Sequence, residues 1–404
     1  MGEILFLAHR MPFPPNRGDK IRSHHLLKAL ARLGPVHVGT FAETQGDRDH
    51  RSELSAIAAS SHVADRTKPL VLAGIQAILS GRPVSLAAFH DRGLQSWVEQ
   101  TLAAHPIDTI VIFSGQMGHY LPERFDGRVV IDFCDVDSAK FDAYAKAGDM
   151  AWINGREGRL LAAEEDRLAR RADVTTLISE SEAALLRSRL APETSAEIRV
   201  FGNGVDTQFF DPQADLPPSP FEQAGPDIVF TGQMDYSPNV AAVERFAHQV
   251  LPELAAKYAA HFHIVGRAPT DSVRELGKLP GITVWGGVPD MRPFLRAATA
   301  VVAPLAIARG VQNKVLEAMA MARPVVLTEE AATGIPAEDG QHFLIARDDA
   351  AMVSRLQGLL EGHIDGRAIG ALARKFVASE MSWEAIYEQV ATLVQPDGKN
   401  SRAA

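Results

Sequence analysis

The chain alternates short apolar runs, rich in Ile, Val, Leu and Phe, with longer stretches in which apolar residues follow helical spacing. Such runs predict strands buried on both faces, and the stretches between them predict helices that cover a parallel sheet. The predicted strands fall into two sets. The first set comprises residues 4–8, 36–41, 109–113, 129–133, 174–178 and 198–201. The second set comprises residues 228–232, 262–266, 282–286, 301–305, 324–328 and 343–346.

Two sets of strands predict two doubly wound α/β domains in series, residues 1–202 and residues 228–380. Residues 203–227 are dense in Gly, Pro and Asp and predict the interdomain linker. Residues 397–404 are expected to be a disordered tail. Because ligands of such sheets bind beyond the carboxyl ends of the strands, we expect the working site where the two domains face each other.

Composition narrows the class of protein. The 404 residues are 46% hydrophobic and 23% charged, which is typical of a globular chain with ample material for a core. The net charge of −9 argues against a protein that coats nucleic acid. The single cysteine, Cys134, cannot form an internal disulfide and fits a reducing cytoplasm. No stretch approaches the ~20 apolar residues that span a bilayer, so we expect a cytoplasmic protein, at most peripheral at the inner face of the membrane.

The strongest local motif is ARGVQNKVLEAMAMARPVV at residues 308–326. It predicts a loop that opens a helix, where Gly310 allows a close turn and the free amides attract a phosphate. Lys314 lies in the first turn, where a cation is unfavourable unless an anion lies beside it. Lys314 is therefore a diphosphate candidate, and Glu317 on the same side of the helix is able to accept hydrogen bonds from a ribose. A solvated Lys/Glu surface pair is the alternative.

This segment is the first of several that resemble the retaining glycosyltransferases of family 4, and the resemblance covers nearly the whole length of the chain. Besides GVQNKVLEAMA, the resemblance rests on NGVD at 203–206, FTGQMDYSPNVAAVERF at 230–246, FHIVGRAP at 262–269 and VWGGVPDMRPFLRAATAVVAPL at 284–305. It implies the GT-B fold, an α/β architecture in which two Rossmann-like doubly wound domains face each other across a cleft. It also implies that residues 381–396 form a helix that crosses back to the first domain.

The same resemblance implies that the C-terminal domain binds a nucleotide sugar, a UDP- or GDP-sugar, with no tightly bound cofactor and no metal. The donor-binding residues that it implies there are Gly232, Arg267, Gly287, Val288, Arg309, Gly310, Val311, Lys314 and Glu317. Gly287 and Val288 are expected near the nucleotide base, Lys314 at the diphosphate and Glu317 at the ribose. For Arg267, a surface position at a strand end is the alternative.

Two features depart from the family's pattern. Its paired glutamates lie eight positions apart, but Arg309 stands eight before Glu317, so the sugar contacts of the first glutamate are missing. The arginine and lysine that many members carry after the first strand of this domain are absent, and Gln233 and Asn239 stand in that region. The charge of the phosphates must therefore be met by the remaining cations of this domain or from the other domain.

A second loop and helix follow the first predicted strand, in HRMPFPPNRGDKIRSHHLLKAL at residues 9–30. Gly18 lies in the turn, and Lys20 and Arg22 in the first helical turn offer another anion site. In the family resembled, the corresponding glycine loop faces the donor phosphates, which implies that Gly18 and Arg22 bind the donor. The alternative is a helix capped by Asp19 with solvated basic residues.

Aspartates cluster after a predicted strand of the first domain. Asp132, Asp135 and Asp137 lie at its carboxyl end, where a carboxylate is able to orient an acceptor hydroxyl or assist proton movement. We expect Asp135 to be catalytic and Asp137 and His119 to lie on the acceptor side; helix capping and a loop role for His119 are the alternatives. A metal triad is not expected. Residues 129–148, together with residues 161–186 and the RGDKIR loop at residues 17–22, resemble sugar transferases found beside PEP-CTERM/exosortase exopolysaccharide loci.

Residues 69–79, PLVLAGIQAIL, are apolar and carry no charge. They predict either a core helix or a face that meets a lipid-linked acceptor at the membrane.

The resemblance implies an enzyme, a hexosyltransferase that moves a sugar from a nucleotide-diphosphate sugar to a glycan or polyprenyl-linked acceptor, in exopolysaccharide biosynthesis. Retention of configuration is implied by the resemblance alone. Lys314, Glu317 and Asp135 are expected to act in catalysis. The alternatives are a non-hydrolysing nucleotide-sugar epimerase, which needs no acceptor, and a nucleotide-binding subunit of a polysaccharide assembly. A dehydrogenase and a P-loop enzyme are disfavoured because the GxGxxG and GxxxxGK[ST] motifs are missing.

Overall fold

A computed structural model describes residues 2–15, 17–67, 69–146, 148, 150–308 and 310–395. The chain forms two compact units. The first contains the chain up to Gly202 and the segment that begins at Tyr387, and the second contains Asn203–Ile386. The expected tail at 397–404 lies outside the described residues.

The first unit is built on a parallel sheet. Its strands are β1 (Glu3–Ala8), β2 (Val36–Ala42), β3 (Ser60–Asp65), β4 (Ile107–Phe113), β5 (Arg128–Cys134), β6 (Val174–Leu177) and β7 (Ile198–Val200). Within the described residues they lie in the order β3-β2-β1-β4-β5-β6-β7. The chain thus starts at the centre of the sheet, moves to one edge, returns and moves to the other, which is doubly wound topology.

Helices cover this sheet because each connection between parallel strands must cross back over a face. They are α1 (Gly18–Ala31), α2 (Gln45–Asp49), α3 (Arg51–Ile57), α4 (Leu70–Ser80), α5 (Val84–Ala88), α6 (Arg92–Ala104), α7 (Asp137–Lys146), α8 (Ala151–Arg171) and α9 (Glu180–Arg189). A 3-10 helix, Gly115–Tyr120, follows β4.

The second unit repeats the plan. Its strands are β8 (Asp227–Thr231), β9 (His261–Val265), β10 (Ile282–Gly286), β11 (Ala300–Ala303), β12 (Val325–Leu327) and β13 (Leu344–Ile345). In the part of the chain that the structure describes, they lie in the order β10-β9-β8-β11-β12-β13, all parallel. The prediction of two doubly wound, Rossmann-like parallel sheets is therefore confirmed.

The helices that begin in the second unit either connect its strands or, for the last three, follow its last strand. They are α10 (Ser237–Arg245), α11 (Leu251–Tyr258), α12 (Asp271–Leu276), α13 (Arg292–Ala297), α14 (Asn313–Ala320), α15 (Glu329–Ala332), α16 (Asp349–Leu360), α17 (Gly366–Glu380) and α18 (Trp383–Val394). A π-helical turn, Phe246–Val250, joins α10 to α11. Helix α18 begins in the second unit, and the chain re-enters the first unit at Tyr387.

Residues 203–226 form no regular helix or strand, yet they are packed against the second unit. Val205 pairs with Ser382 in an isolated bridge, and the Val205 and Phe210 side chains are part of that unit's core. Arg296 donates hydrogen bonds to backbone carbonyls of this segment, and Arg374 does the same. The segment expected to be a linker therefore belongs structurally to the second unit, because tertiary contacts fix a chain that has no ladder of its own.

Among the described residues, no helix combines the length and the apolar character that crossing a membrane requires.

Candidate functional site

The carboxyl ends of four neighbouring strands bring the predicted residues of the second unit to one edge of its sheet. Because β10, β9, β8 and β11 are adjacent and parallel, the turns that follow them lie side by side. These turns contain Gly287, Arg267, Gly232 and the loop before α14, respectively. The expectation that these segments share one site agrees with this topology.

The turns after β8 and β9 approach so closely that side chains are excluded. A Cβ atom at Gly266 would lie 1.6 Å from the carbonyl oxygen of Gly232. A Cβ atom at Gly232 would lie 2.8 Å from Nδ2 of Asn239 and 3.2 Å from Nζ of Lys314. Glycine is required at both positions for lack of space, and the backbone of Gly232 is thereby kept beside the Lys314 ammonium.

Lys314 lies in the first turn of α14. Its Nζ atom donates a hydrogen bond to Oδ1 of Asn239 at 2.5 Å and lies 4.4 Å from the centroid of the Phe230 ring. Nδ2 of Asn239 donates to the carbonyl of Gln233 at 2.9 Å, which fixes the orientation of the amide. Desolvation lowers the pKa of Lys314 to about 8, although Glu317 opposes the shift.

The charge of Lys314 is not matched by a carboxylate in contact with it. Within the described part of the chain, its polar contact is the neutral amide of Asn239, and no acidic group forms an ion pair with it. A cation at the positive end of a helix, held by a neutral oxygen and an aromatic face, is favourable to an incoming anion. The position therefore fits a bound phosphate or diphosphate.

Glu317 follows one helical turn after Lys314. Burial raises the pKa of Glu317 to about 7, although the neighbouring Lys314 lowers it. The residue is partly exposed, and among the described residues no hydrogen bond to its carboxylate is found. Its oxygens are therefore free to accept hydrogen bonds from hydroxyl groups of a ligand.

The loop before α14 is shaped by glycines. Gly310 has φ of +64°, a conformation that glycine adopts at little cost. Val311 packs closely on the following turn, since a Cβ atom at Gly334 would lie 3.1 Å from Cγ2 of Val311. Gln312 caps α14 without a side-chain hydrogen bond, so the first amides of the helix have no side-chain acceptor at that position. Arg309, implied to bind the donor, lies outside the described residues.

The remaining predicted residues lie on the rim of this edge. Arg267 is exposed, and its Nη2 atom donates to Oε1 of Gln233 at 3.3 Å. Gly287 is also exposed, whereas Val288 is half-buried against the core. The backbone at Gly287 lies against Arg267, because a Cβ atom there would be 3.4 Å from Cβ of Arg267.

In the first unit, Arg22 is buried in the interior. The residue is 1% exposed; its Nε and Nη2 atoms donate to the two carboxylate oxygens of Asp132 at 2.7 and 3.1 Å, and Nη1 donates to the carbonyl of Gly202. Its guanidinium also lies 4.3 Å from the centroid of the Phe201 ring. These donors of Arg22 are engaged inside the fold, and the implied contact between Arg22 and the donor stays a prediction.

Lys20 is engaged in the same way. Its Nζ atom donates to Asp47 at 2.8 Å and to the carbonyl of Phe13 at 3.0 Å, and the residue is buried. The alternative of solvated bases is therefore also wrong for Lys20. Gly18 is exposed at the start of α1, and a Cβ atom there would meet nothing within 4 Å. Lys20 and Arg22, the two cations of the anion site expected at this loop, each pair with an aspartate inside the first unit.

The predicted acceptor-side residues lie at the carboxyl edge of the first sheet. Asp135 is exposed just after β5; desolvation raises its pKa, and Asp137 raises it further, against Lys140. Asp137 begins α7 and accepts a hydrogen bond from Nζ of Lys140 at 2.9 Å. His119, at the end of the 3-10 helix, lines a pocket of about 520 Å³. Glu164 lines both this pocket and a smaller one that Asp135 and Asp137 line. His119 and the two aspartates therefore lie near one another.

Sequence reasoning missed three residues of these sites. Asn239 was read as the loss of a cation, and Phe230 as a core strand residue, but together they hold Lys314. Glu165, in the pocket with Asp135, accepts hydrogen bonds from the backbone amide and hydroxyl of Ser138; burial raises its pKa to about 7. A polar residue on the buried face of a helix is the signal that marks Asn239 and Glu165.

Comparison with known proteins agrees with this geometry. Residues 225–362 match the family model described as "Glycosyl transferases group 1". No curated protein gives a significant sequence match. Among solved structures, the chain is similar to a sucrose-phosphate synthase from Thermosynechococcus elongatus, at 19% identity with 97% of this chain and 98% of that chain covered and a TM-score of 0.66.

Two further solved structures are similar along nearly their whole length. Anabaena Alr3699/HepE in complex with UDP and glucose is 16% identical, with 97% of this chain and 98% of that chain covered and a TM-score of 0.63. A glycosyltransferase from Rickettsia africae ESF-5 is 13% identical, with 96% and 98% covered and a TM-score of 0.65. At these identities the likeness shows the fold alone: the chain has the GT-B fold, with two Rossmann-like domains.

Proposed function

We propose that the protein is a glycosyltransferase that moves a hexose from a UDP- or GDP-sugar to a glycan or polyprenyl-linked acceptor with retention of anomeric configuration. The observation that carries the proposal is Lys314: a partly buried ammonium at a helix start, bonded to the neutral Asn239 and aimed beside Gly232, inside a segment that matches a glycosyl transferase family. Desolvation depresses the pKa of Lys314 and the neighbouring Glu317 offsets only part of that shift, so the charge of Lys314 is incompletely compensated. A donor diphosphate supplies the remaining counter-charge.

The reaction breaks the bond between the anomeric carbon and the diphosphate oxygen and forms a bond from that carbon to the acceptor oxygen. The acceptor hydroxyl proton passes to the departing phosphate, so no separate base is required. Negative charge grows on the diphosphate in the transition state, where Lys314 and the free amides of α14 stabilise it. Glu317 accepts hydrogen bonds from the ribose and so fixes the donor's position.

The donor class is supported by both the site and a neighbour. The cation Lys314 at a helix start suits a phosphate, and the partly exposed carboxylate three residues on suits a ribose diol. HepE, which has the same fold, is solved in complex with UDP and with UDP-glucose. UDP-hexoses are therefore the first donors to test, with GDP-hexoses beside them.

The primary test is release of UDP or GDP from a panel of nucleotide hexoses, with and without a cell-derived lipid acceptor fraction. Lys314→Ala is expected to lower acceptor-dependent turnover at least about tenfold, a loss of roughly 1.4 kcal/mol of transition-state stabilisation. Lys278→Ala is the matched control, because Lys278 lies three positions from a glutamate, Glu275, as Lys314 does from Glu317, but Lys278 is on the surface and pairs with its glutamate. Turnover should be unchanged in this control.

The other outcomes distinguish the competing functions. Epimer formation without an acceptor would indicate the nucleotide-sugar epimerase. Nucleotide binding that depends on Lys314, without turnover of any donor, would indicate a binding subunit of a polysaccharide assembly. An anomeric configuration in the product opposite to that of the donor, read from the proton coupling constant by NMR, would contradict retention.

The acceptor is proposed to bind at the carboxyl edge of the first sheet. Asp135 is exposed there with a raised pKa, and the pocket beside His119 is lined by Arg82, Arg167 and Arg171. Such cations suit the phosphates of a polyprenyl-linked acceptor. Asp135→Asn is expected to raise KM for the acceptor and leave donor binding unchanged, whereas an unchanged acceptor KM would remove Asp135 from this role.

Helix α4 supports contact with the membrane that carries such an acceptor. Its Leu72, Ile75, Ile78 and Leu79 side chains are exposed, Leu79 by 83%, so the core-helix alternative is wrong for these residues. Arg156 of α8 donates a hydrogen bond to the carbonyl of Ala77, so the two helices lie side by side.

The start of α8 adds an aromatic anchor to this face. Trp152 is 72% exposed one turn before Arg156, and Ile153 is exposed beside it. Arg82 and Arg159 are exposed nearby. Apolar side chains, an exposed tryptophan and flanking arginines are the combination that binds the interface of an anionic bilayer.

Vesicle co-sedimentation tests this contact. Leu72→Gln with Ile75→Gln is expected to weaken binding to vesicles that contain anionic lipid, and Leu372→Gln, an exposed leucine of the second unit, is the control. Binding that both variants retain equally would contradict the contact. A cytoplasmic reaction at the inner face of the membrane, in exopolysaccharide biosynthesis, is the setting that we propose.

A further inference from the structure

A cluster of potential metal ligands lies at the amino ends of the strands of the first sheet, whereas Asp135 follows the carboxyl end of β5. Glu3 is the first residue of β1, His37 is the second residue of β2, and His105 follows α6 just before β4. These strands are neighbours in the sheet, in the order β2-β1-β4. Their amino ends therefore bring together three side chains that are far apart in sequence.

The three ligand atoms already converge. Oε2 of Glu3 lies 2.7 Å from Nε2 of His37 and 3.0 Å from Nδ1 of His105. The two imidazole rings are 4.2 Å apart between centroids, and one ligand atom from each of the three residues lies within 4.8 Å of the others. Tetrahedral bonds of about 2.1 Å place ligand atoms about 3.4 Å apart, so an ion requires the contacts of 2.7 and 3.0 Å to lengthen by about 0.7 and 0.4 Å.

The ring that is most buried is held by an outer contact. Nδ1 of His37 lies 2.7 Å from Oγ of Ser60 on β3, so this nitrogen is engaged and Nε2 points to the cluster. The His37 side chain is buried, whereas His105 is exposed and Glu3 lies between the two in exposure. A fixed buried ligand, a hydrogen bond that orients it and a solvent-facing third ligand are the features of a metal site with an entry path.

We propose that Glu3, His37 and His105 bind a Zn²⁺ ion, or another borderline divalent transition metal, with water completing the coordination shell. Two imidazoles and one carboxylate suit zinc, which takes nitrogen and oxygen ligands in a tetrahedral arrangement. The ion replaces the two hydrogen bonds that now join the histidines to Glu3. It links the starts of β1 and β2 to the residue that leads into β4.

The site is structural rather than catalytic. The ligands lie at the amino ends of the strands, whereas Asp135 and His119 follow the carboxyl ends of β5 and β4. An ion that binds the folded unit and not the unfolded chain raises the unfolding midpoint by mass action. This inference does not depend on the proposed transferase function.

The test uses untagged full-length protein, stripped with a chelator and titrated with ZnCl₂ by calorimetry. One ion per chain is expected, with a raised melting temperature; Co²⁺ in its place should give the visible absorption bands of tetrahedral coordination. His105→Ala, at an exposed ligand, is expected to weaken Zn²⁺ binding at least about tenfold. Ser60→Ala is expected to have an effect of similar size, because it removes the hydrogen bond between Ser60 and Nδ1 of His37. Binding should also weaken as the pH is lowered, because the histidines must be neutral to coordinate.

His363→Ala is the matched control, since His363 also lies beside a glutamate, Glu361 at 3.3 Å, but without a third ligand. It should bind Zn²⁺ as the wild type does. A wild type that binds no more tightly than His105→Ala, or an octahedral Co²⁺ spectrum, would overturn the proposal and leave the cluster as an ion pair between strands.

Discussion

Each unit of the protein carries a basic residue in the early part of a helix that follows a central strand, and this residue is buried in the first unit and partly buried in the second. In the first unit this residue is Arg22 of α1, and in the second it is Lys314 of α14. Both belong to segments that the sequence predicts as anion sites. Their surroundings nevertheless differ in one respect that decides their roles, which is whether the charge is already matched.

The positive charge of Arg22 is compensated by the carboxylate of Asp132. Burial opposes its charge, but Asp132 overcomes that effect and raises the pKa of Arg22. Lys314 is held by the neutral amide of Asn239, and desolvation lowers its pKa to about 8. A matched buried cation is part of the fold, whereas an unmatched one is stabilised by an anion that the protein does not itself supply.

The largest expected effect follows from breaking the matched pair. Asp132→Ala leaves the Arg22 guanidinium buried without its carboxylate, which typically costs about 3–5 kcal/mol of folding free energy. Urea unfolding of the purified variant measures this loss. The double variant Arg22→Met with Asp132→Ala should recover much of it, because the uncompensated charge is gone. A loss below about 1 kcal/mol in Asp132→Ala would show that the pair is not structural.

Lys314→Met should have the opposite profile, with a large effect on turnover and none on folding. Turnover of the donor falls at least about tenfold, or roughly 1.4 kcal/mol, while the free energy of unfolding at pH 7 is unchanged or higher. The reason is that the folded-state pKa of Lys314, about 8, lies below the usual 10.5, so the folded state carries a penalty for its charge at neutral pH. If Lys314→Met lowered the melting temperature as far as Asp132→Ala does, the proposed difference between Lys314 and Arg22 would be contradicted.

The same shift predicts how wild-type stability depends on pH. Between pH 8 and 10.5 the unfolded chain binds the lysine proton and the folded chain has released it, so stability gains a contribution as pH rises through this window. The gain is measured as the difference in unfolding free energy between wild type and Lys314→Met at each pH. This difference should change across the window and be flat below it.

The fold was predictable because strands buried on both faces leave continuous apolar runs. The prediction missed β3, Ser60–Asp65, because its residues are polar and it pairs with β2 at the edge of the sheet. The packing of residues 203–226 was also missed, because it depends on tertiary contacts such as those from Arg296. Local composition indicates where regular structure is lacking, but it does not indicate what the chain packs against.

The site was predictable in part for a related reason. The resemblance implied that Gly232 and Lys314 share a site, and their closeness agrees with the rule that parallel strands present ligands at their carboxyl ends. The pairing of Arg22 with Asp132 joins residues 110 positions apart, and spacing within one segment carries no information about it. The role of Asn239 was hidden because an amide that orients a lysine differs from a lost cation only in three dimensions.

Donor affinity should report the titration of Lys314 directly. Because the pKa of Lys314 is about 8, UDP-hexose affinity is expected to fall as pH rises above 8, by up to about tenfold per pH unit. Lys314→Arg should remove this dependence, since a guanidinium stays protonated across the range. Calorimetric titration at several pH values measures it, and an affinity that is independent of pH up to 10 in the wild type would contradict an ammonium contact to the donor.

The smallest expected effects come from one pair of substitutions, made at the glycines of the two loops. Gly232→Ala places a methyl group 2.8 Å from Nδ2 of Asn239 and 3.2 Å from Nζ of Lys314, so these atoms must shift by several tenths of an ångström. A shift of this size should weaken donor binding several-fold, at a cost of about 1 kcal/mol. Gly18→Ala places its methyl group in open space at the first position of α1. Alanine is favourable there, and stability and donor affinity should both stay within about 0.5 kcal/mol of wild type. If Gly18→Ala weakened the donor as much as Gly232→Ala, the loop of the first unit would be a phosphate contact after all, through its backbone and not through Arg22.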